Sequence, residues 1–486
     1  MKLGIPLVLQ YDLSTARTVS PSMAAGESNA AQLGANEIMR TTVESRQGRI
    51  HLEATILDEA TQKIVSVNAA DAPSAAELLP ASNALAKRID GHASTFASEK
   101  IQTVQTMASA AAATNLQTRV QLLGRAVQAD PTFGAGYVAL LEIISRSNNP
   151  NIKGLIAEAQ TNRKLFTPFD QTKFDMVVTR VTHASLSQQA KVAEAVLQLA
   201  PNDVEALEML GAVRFLEGNA NGGENALRQA LRLSPANVNL QNQLALGLLG
   251  AKRFRAAEKI LAAMTANPAS RLELAVCILL EGDAARANTA AEHFFTAVPN
   301  AEVRTLVRAF WLAISGQRPK AIDSLANAKF ADSNLKASAL GETTVWRVMD
   351  KDFAGAKKAA ALSAATDTRP GSPVPIVAAL LADSDEAAGE WQKKVAAAKL
   401  SEEAKETLLG YGYFLSGHYA EASAAWRPIL ERSRGADLRA RAMLKGSLER
   451  AHDTDEARKI EVLAFVPEFG DLFGVISFDE MRRQLK

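Results

Sequence analysis

Six histidines, one cysteine and one crowded acidic stretch are the residues of this 486-residue chain whose types could support chemistry. His51, His92, His183, His293, His418 and His452 stand singly. A zinc site takes several nitrogen or sulfur ligands at short spacing, and none of the six has a second His or a Cys in that reach. Cys277 has no cysteine partner and lies in the apolar run LELAVCILLEG. It excludes an internal disulfide framework and predicts a buried, inert thiol. The stretch DSDEAAGE, Asp383 to Glu390, lacks the remaining ligands of a calcium loop. It reads as a solvated helix start, where acids suit the helix dipole. GNANGGEN, Gly218 to Asn225, is the nearest approach to a phosphate-cradling loop, yet no Lys-Ser or Lys-Thr follows it. It reads as a turn between helices. With no HExxH and no GxSxG either, the residues point to no enzyme and no cofactor.

The bulk properties narrow the partner. Lys and Arg are spread along a chain of net charge +1, with no concentrated basic face, which argues against nucleic acid. No run approaches the roughly 18 apolar residues that cross a bilayer. The opening MKLGIPLVLQYD is cut short by Gln10, Tyr11 and Asp12, so it does not read as a signal peptide. As it reads, the chain is expected in the cytoplasm.

Self-similarity is more informative. Pro131, Pro201, Pro235, Pro268 and Pro299 recur at intervals of roughly one or two 34-residue units. Several close a similar phrase, as in GRAVQADP, EAVLQLAP and RQALRLSP, the end of an amphipathic helix that Pro cannot extend. Between them, ALEMLGAVRFLEGNANGGENALRQALRLSP, QLALGLLGAKRFRAAEKILAAMTANP, LELAVCILLEGDAARANTAAEHFFTAVP and LLGYGYFLSGHYAEASAAW keep one register of small and apolar residues. Gly211, Ala245, Ala275 and Gly410 are small positions that admit a second helix, with Ala257 and Ala422 as counterparts. Gly218, Gly282 and Gly417 end the first helix of each pair, where a left-handed residue costs least in glycine. Such hairpins bury their apolar faces only by stacking on one another.

These residues resemble tetratricopeptide repeats, most specifically over Leu409 to Trp426 and Val204 to Pro268. The resemblance implies a mostly α fold, an α-solenoid of about ten or eleven hairpins over residues 97–467. Ile152 to Gln189 departs from the pattern but leaves room for two irregular hairpins, and only MDKDFAGAKKAAAL keeps it within Asp332 to Ala365. TDTRPGSPVPIVAALL suggests a break near 366–376. Residues 468–486 form a capping segment, and the last stretch, VLAFVPEFGDLFGVISFDEMRRQLK, carries four Phe before a basic end.

Residues 1–96 have another period. Ile50, Leu52, Ala54 and Ile56 alternate with polar residues as a half-buried strand, with EIMRTTVES as hairpin partner across Gln47 and Gly48. A second turn at DEATQK leads into KIVSV, and helices are expected at SAAELLPASNALAKRID and GESNAAQLGA. This small α/β domain resembles one similar to the amino-terminal domain of TolB that precedes tetratricopeptide arrays in some bacterial signalling proteins. Such domains begin with an apolar strand and a further helix. The resemblance therefore implies a chain that starts too late to hold that strand, a fragment of a longer protein whose remainder carries an export signal, a membrane anchor or an effector domain. In that case the chain is periplasmic or otherwise extracytoplasmic.

In tetratricopeptide arrays the first helix of each pair lines the concave face, and its exposed positions touch a bound protein or peptide. Carried onto this chain, the resemblance nominates Glu205 and Glu208, Asn239 and Asn242, and Tyr411 and Phe414. Ordinary surface polarity at the asparagines, and packing between repeats at Tyr411 and Phe414, stay open. The expected function is a non-enzymatic scaffold for a protein or peptide partner. The alternatives are a sensor or regulatory region of a kinase- or cyclase-type signalling protein and, more remotely, an enzyme with an unrecognised site. Neither the partner's identity nor the oligomeric state follows from the residues.

Overall fold

The computed structural model describes residues 4–19, 21, 35–96, 98–145, 151–182, 184–264 and 266–485. The helix expected over GESNAAQLGA lies outside these residues apart from Ala35, and His183 lies outside them too. The chain divides into two compact units, Met1–Gln241 and Asn242–Lys486. That division falls inside the helix Val238–Gly250.

The first unit opens with the helix Gly4–Asp12, formed by the stretch that sequence left as a short apolar start. Three antiparallel strands follow in the order β1-β2-β3, with β1 Glu37–Arg46, β2 Arg49–Asp58 and β3 Ile64–Ala72. Gln47 and Gly48 both take positive φ, 52° and 79°, as a two-residue hairpin turn that follows the strand twist requires. The alternation in β2 turns Leu52 and Ala54 into the core, where they meet Ile5 and Leu9 of the first helix and Leu78 and Leu85 of the helix Leu78–Ile89. Val8, on another face of the first helix, packs with Leu79, Phe96, Val104 and Phe133. Tyr11 stands edge-on to Phe96 at 5.1 Å and to Phe169 at 6.2 Å. The sheet-bearing segment therefore shares its core with the helices that follow.

The rest of the chain is a tetratricopeptide-like run of antiparallel helix hairpins. First helices begin at Ile101, Gly134, Pro168, Val204, Val238, Pro268, Ala301, Ser333, Pro373, Glu402 and Leu438. These starts recur at intervals of roughly 34 residues. The irregular stretch holds the helices Ile152–Asn162 and Pro168–Val181, and Asp367 to Ser372 only link the helices Phe353–Thr366 and Pro373–Ala382. Side-chain caps fix many starts. Asp203 accepts from the Ala206 N–H at 2.8 Å, and Asn267, Asn300, Asp332 and Asp437 do the same for their own helices.

Glycine ends the first helix where expected, with φ of 80° at Gly218, 102° at Gly282 and 89° at Gly417. Lys252, Lys351 and His452 hold the same left-handed conformation in other hairpins, at φ 61°, 64° and 64°. A repeat whose turn lacks glycine thus keeps the geometry at some steric cost, which is why the pattern looks degenerate there. Close approach works in two ways. At Gly211 an added Cβ would lie 3.2 Å from the Gly223 carbonyl oxygen, so the two backbones are in contact; at Gly410 it would lie 2.6 Å from the Trp426 indole, so the space holds a ring. GNANGGEN is only partly a turn, because Asn219 caps a helix starting at Ala220 and Gly222 and Gly223 lie inside it.

Candidate functional site

All six nominated residues lie on first helices, Glu205 and Glu208 on Val204–Leu216, Asn239 and Asn242 on Val238–Gly250, and Tyr411 and Phe414 on Glu402–Ser416. Their environments differ. Glu205, 48% exposed, accepts from Lys173 Nζ at 2.7 Å, and the same ammonium donates to Asp203 Oδ2 at 3.1 Å. The Lys173 side chain is only 12% exposed, and although burial opposes its charge, Asp203 and Glu205 raise its affinity for the proton. Glu142, from the helix Gly134–Ser145, completes the group with Arg180 at 3.9 Å. Burial first, then the Glu205 charge, pushes the Glu142 carboxyl up to about 7. The Lys173 ammonium holds Glu205 below the ordinary glutamate range. Lys173 and Arg180 thus face the carboxylates of Asp203 and Glu205 and a Glu142 whose burial favours its neutral form. This balance ties three first helices together and leaves little net charge to attract a ligand. Glu208 lies on the same helix as Glu205 and is half-buried.

Asn239 is exposed near the start of its helix. Asn242 is half-buried and donates from Nδ2 to Glu273 Oε1 at 3.4 Å, linking neighbouring first helices, while its Oδ1 is buried without a partner. Burial raises the Glu273 carboxyl.

Tyr411 is 1% exposed, so it offers no free surface and packs internally. Its ring stacks on Phe473 at 4.3 Å and 13°, and meets Trp426 edge-on at 4.7 Å. Phe414 is half-buried, with the Arg450 guanidinium 4.7 Å above its ring.

The residue covering Tyr411 belongs to the segment expected to close the array. Leu463 to Leu485 reach back across five first helices of the second unit. The Ala464 N–H donates to the Gly250 carbonyl at 3.3 Å. Phe469 is edge-on to Phe310 at 5.8 Å, and Leu472 lies against Gly341. Phe473 covers Tyr411, and Asp471 accepts from Arg439 Nη1 at 2.7 Å. Farther on, Arg482 donates to the Ile314 carbonyl at 2.6 Å and Gln484 to that of Ala442 at 2.8 Å. Pro467 and Gly470, at φ 90°, keep Val462 to Phe473 out of any helix, and the chain turns helical over Gly474–Leu485. A cleft of about 170 Å³ lies beside this strap, lined by Asp437, Arg439, Phe465, Glu468 and Asp471 among others.

Next to Gly341 on the helix Ser333–Met349, Glu342 is 7% exposed, with Oε2 lacking a partner. Burial, reinforced by the Asp471 charge, pushes its carboxyl up to about 8. The strap residues were missed as a site because their Phe content read as cap packing. The available signal was Phe465, Phe469 and Phe473 recurring every fourth residue in a stretch that Pro467 and Gly470 bar from helix.

The chain matches no family model and no curated protein. Among solved structures it is similar to a Naa15/Naa10 assembly bound to HypK-THB, at 12% identity over 73% of this chain and 67% of that one, with a TM-score of 0.26. It is likewise similar to the P58(IPK) TPR domain, at 12% identity over 73% of this chain and 99% of that one, with a TM-score of 0.18. At such scores the fold assignment rests on the hairpins described above.

The chemistry-bearing residues behave as follows. Cys277 is buried, its thiol donates to the Phe254 carbonyl at 3.3 Å, and burial pushes it up to about 12. His51 pairs with Asp71 at 2.8 Å and His92 with Asp90 at 3.2 Å. Among the described residues no group of three or more His, Cys, Asp or Glu is placed to hold a metal, and no helix is long and apolar enough to cross a membrane. The acids of DSDEAAGE are not mainly a helix start, since the helix begins at Ala388 and takes only Glu390 into its first turn. Asp383 and Glu386 instead pair with Lys394, and Asp385 with Lys357. A larger cleft of about 450 Å³ in the first unit is lined by Ile5, Leu79, Ile101, Val104 and Ala108, with Gln105 and Ser109 as its polar groups.

Proposed function

We propose that this chain is a non-catalytic interaction scaffold that receives an extended protein or peptide segment along the face built by its first helices. The observation that supports this most directly is the strap. In the second unit, non-helical backbone with projecting aromatic and acidic side chains already lies on that face, contacting Gly250, Phe310, Gly341, Tyr411 and Arg439. A surface that holds one such segment has the complementarity to hold another, and tertiary contacts rather than a sheet ladder supply the binding. In the same reading Glu208 and Asn239 contact the partner, whereas Glu205 and Asn242 position neighbouring helices. The division into residues 1–96, 97–467 and 468–486, and the likeness of the first part to the amino-terminal domain of TolB, belong to this proposal. They rest on the hairpin order and strand alternation of the sequence.

The test places a photo-crosslinking amino acid in the full chain at Asn239, exposed on a first helix, or at Lys259, exposed on the second helix of the same hairpin. A partner from the source cell that crosslinks from position 239 and not from 259 supports the reading. Crosslinking from 259 alone refutes it.

A further inference from the structure

We propose that Ala464 to Gly474 is an intramolecular ligand of the second unit's first-helix face, displaceable by an external peptide of the same chemistry. That peptide is extended, with phenylalanines at every fourth position and carboxylates between them. The proposal rests on the scaffold reading above and names the ligand class for one of its faces.

Three observations carry it. The first is the path. From Ala464 to Phe473 the contacts fall on first helices at Gly250, Phe310, Gly341, Tyr411 and Arg439, while Phe465 alone turns to the closing helix, edge-on to Phe478 at 6.4 Å with its N–H donating to Met481 Sδ at 3.1 Å. A segment that merely closed the end of a stack would need to cover only its last hairpin. This one crosses the face where an external segment would lie.

The second is the kind of contact. Little regular backbone bonding holds the strap: the Ala464 N–H reaches Gly250, and the Asp471 and Gly474 N–H groups make local turns to Glu468 and Asp471. Attachment comes instead from side chains that an unrelated peptide could reproduce. The Phe473 ring lies flat on Tyr411, Phe469 is edge-on to Phe310, and the Asp471 carboxylate accepts from Arg439. Offset-stacked and edge-on aromatic pairs with a charged hydrogen bond between them form a recognition pattern, because each requires a particular residue type at a particular spacing.

The third is the distribution of burial. Val462, Leu463 and Ala464 on one side and Gly474 to Phe478 on the other are buried, whereas between them Pro467 alone is buried and Phe465, Val466 and Glu468 to Phe473 are half-buried or exposed, with Phe469 at 39%. The strap is therefore the weakly held part between two firm anchors. It can lift by local opening while both anchors stay in place, since elements with little buried apolar contact open below the global unfolding free energy.

The test uses the full chain and a fluorescein-labelled peptide copying Ala464 to Gly474, AFVPEFGDLFG. Wild-type protein is compared by anisotropy with the variant F469A/D471N/F473A. The expected result is at least tenfold tighter binding to the variant, whose own strap no longer competes, and weak competition from an unlabelled peptide in which the three Phe are Ala. Equal affinity for the two proteins, or no binding to a variant that keeps wild-type tryptophan emission, overturns the proposal and makes the strap a fixed cap. Should the triple variant fail to fold, Asp471→Asn alone, which preserves volume, must tighten peptide binding severalfold; no change overturns the proposal equally. Loss of the strap proposal with crosslinking from position 239 intact leaves the scaffold reading standing, and the reverse outcome separates the two in the other direction.

Discussion

Replacing Glu342 with Gln should stabilise the second unit in a pH-dependent way. Glu342 is 7% exposed and one of its oxygens lacks a partner, so burial, aided by the Asp471 charge, raises the carboxyl from the ordinary glutamate value of 4.5 to about 8. Between these values the unfolded chain has released the proton and the folded chain still holds it. The unfolded state thus binds fewer protons, and stability must fall as pH rises through that window. Integrated from pH 5 to pH 8, the difference amounts to about 3 kcal/mol, an upper value because water reaching a buried carboxylate relaxes part of the cost. Gln keeps the shape and does not titrate. Glu342→Gln should therefore gain stability relative to wild type by up to about 3 kcal/mol more at pH 8 than at pH 5. The assay is urea unfolding followed by tryptophan emission. All four tryptophans, Trp311, Trp346, Trp391 and Trp426, lie in the second unit, and Trp346 is one helical turn from the mutated position. A stability difference between the two proteins that stays constant from pH 5 to pH 8 would refute a neutral buried Glu342.

Other perturbations probe different contacts. Gly410→Ala drives a Cβ to 2.6 Å from the Trp426 ring and should cost about 1–3 kcal/mol in the same urea assay, whereas an unchanged midpoint would mean the indole moves freely. Lys173→Met leaves Asp203 and Glu205 facing each other without their shared cation; thermal unfolding by circular dichroism should show a loss of about 3 kcal/mol, clearly more than for Glu205→Gln. Cys277 should resist a thiol reagent in the native chain and react at once in denaturant, and native labelling at the rate of a free thiol would contradict its burial.

Much of the architecture was legible because it repeats. A hairpin must place a small residue wherever helices touch, and must end its first helix in a left-handed residue, so Gly211, Gly410, Gly282 and Gly417 announce the fold from composition and spacing alone. The helix Gly4–Asp12 was not legible. Nine residues carry too little periodicity to separate a helix from an apolar start, and its burial comes from residues far along the chain, such as Leu52, Leu85 and Phe133. The candidate site was half legible for the same reason. Repeat register assigns a residue to a first helix but cannot say what already covers it, so Asn239 and Tyr411 look equivalent in sequence although one is exposed and the other lies under Phe473.

The burial of Tyr411 bears on how the second unit recognises a segment. An exposed tyrosine next to a tryptophan would be an apolar patch facing water in the absence of any partner. Here Phe473 stacks upon it, and Asp471, two residues earlier, reaches Arg439 on the next first helix. Aromatic and acidic contacts, two residues apart on the strap, thus fall on adjacent first helices. Mutations that leave the helices intact but shift this register, such as an alanine inserted between Gly470 and Asp471, should release the strap without unfolding the unit. They would move Phe473 off Tyr411 and Asp471 off Arg439 together. If the tyrosine stacking and the arginine contact were independent accidents of packing, restoring one by a second substitution would recover half of the lost attachment; if they act as one register, neither recovers alone.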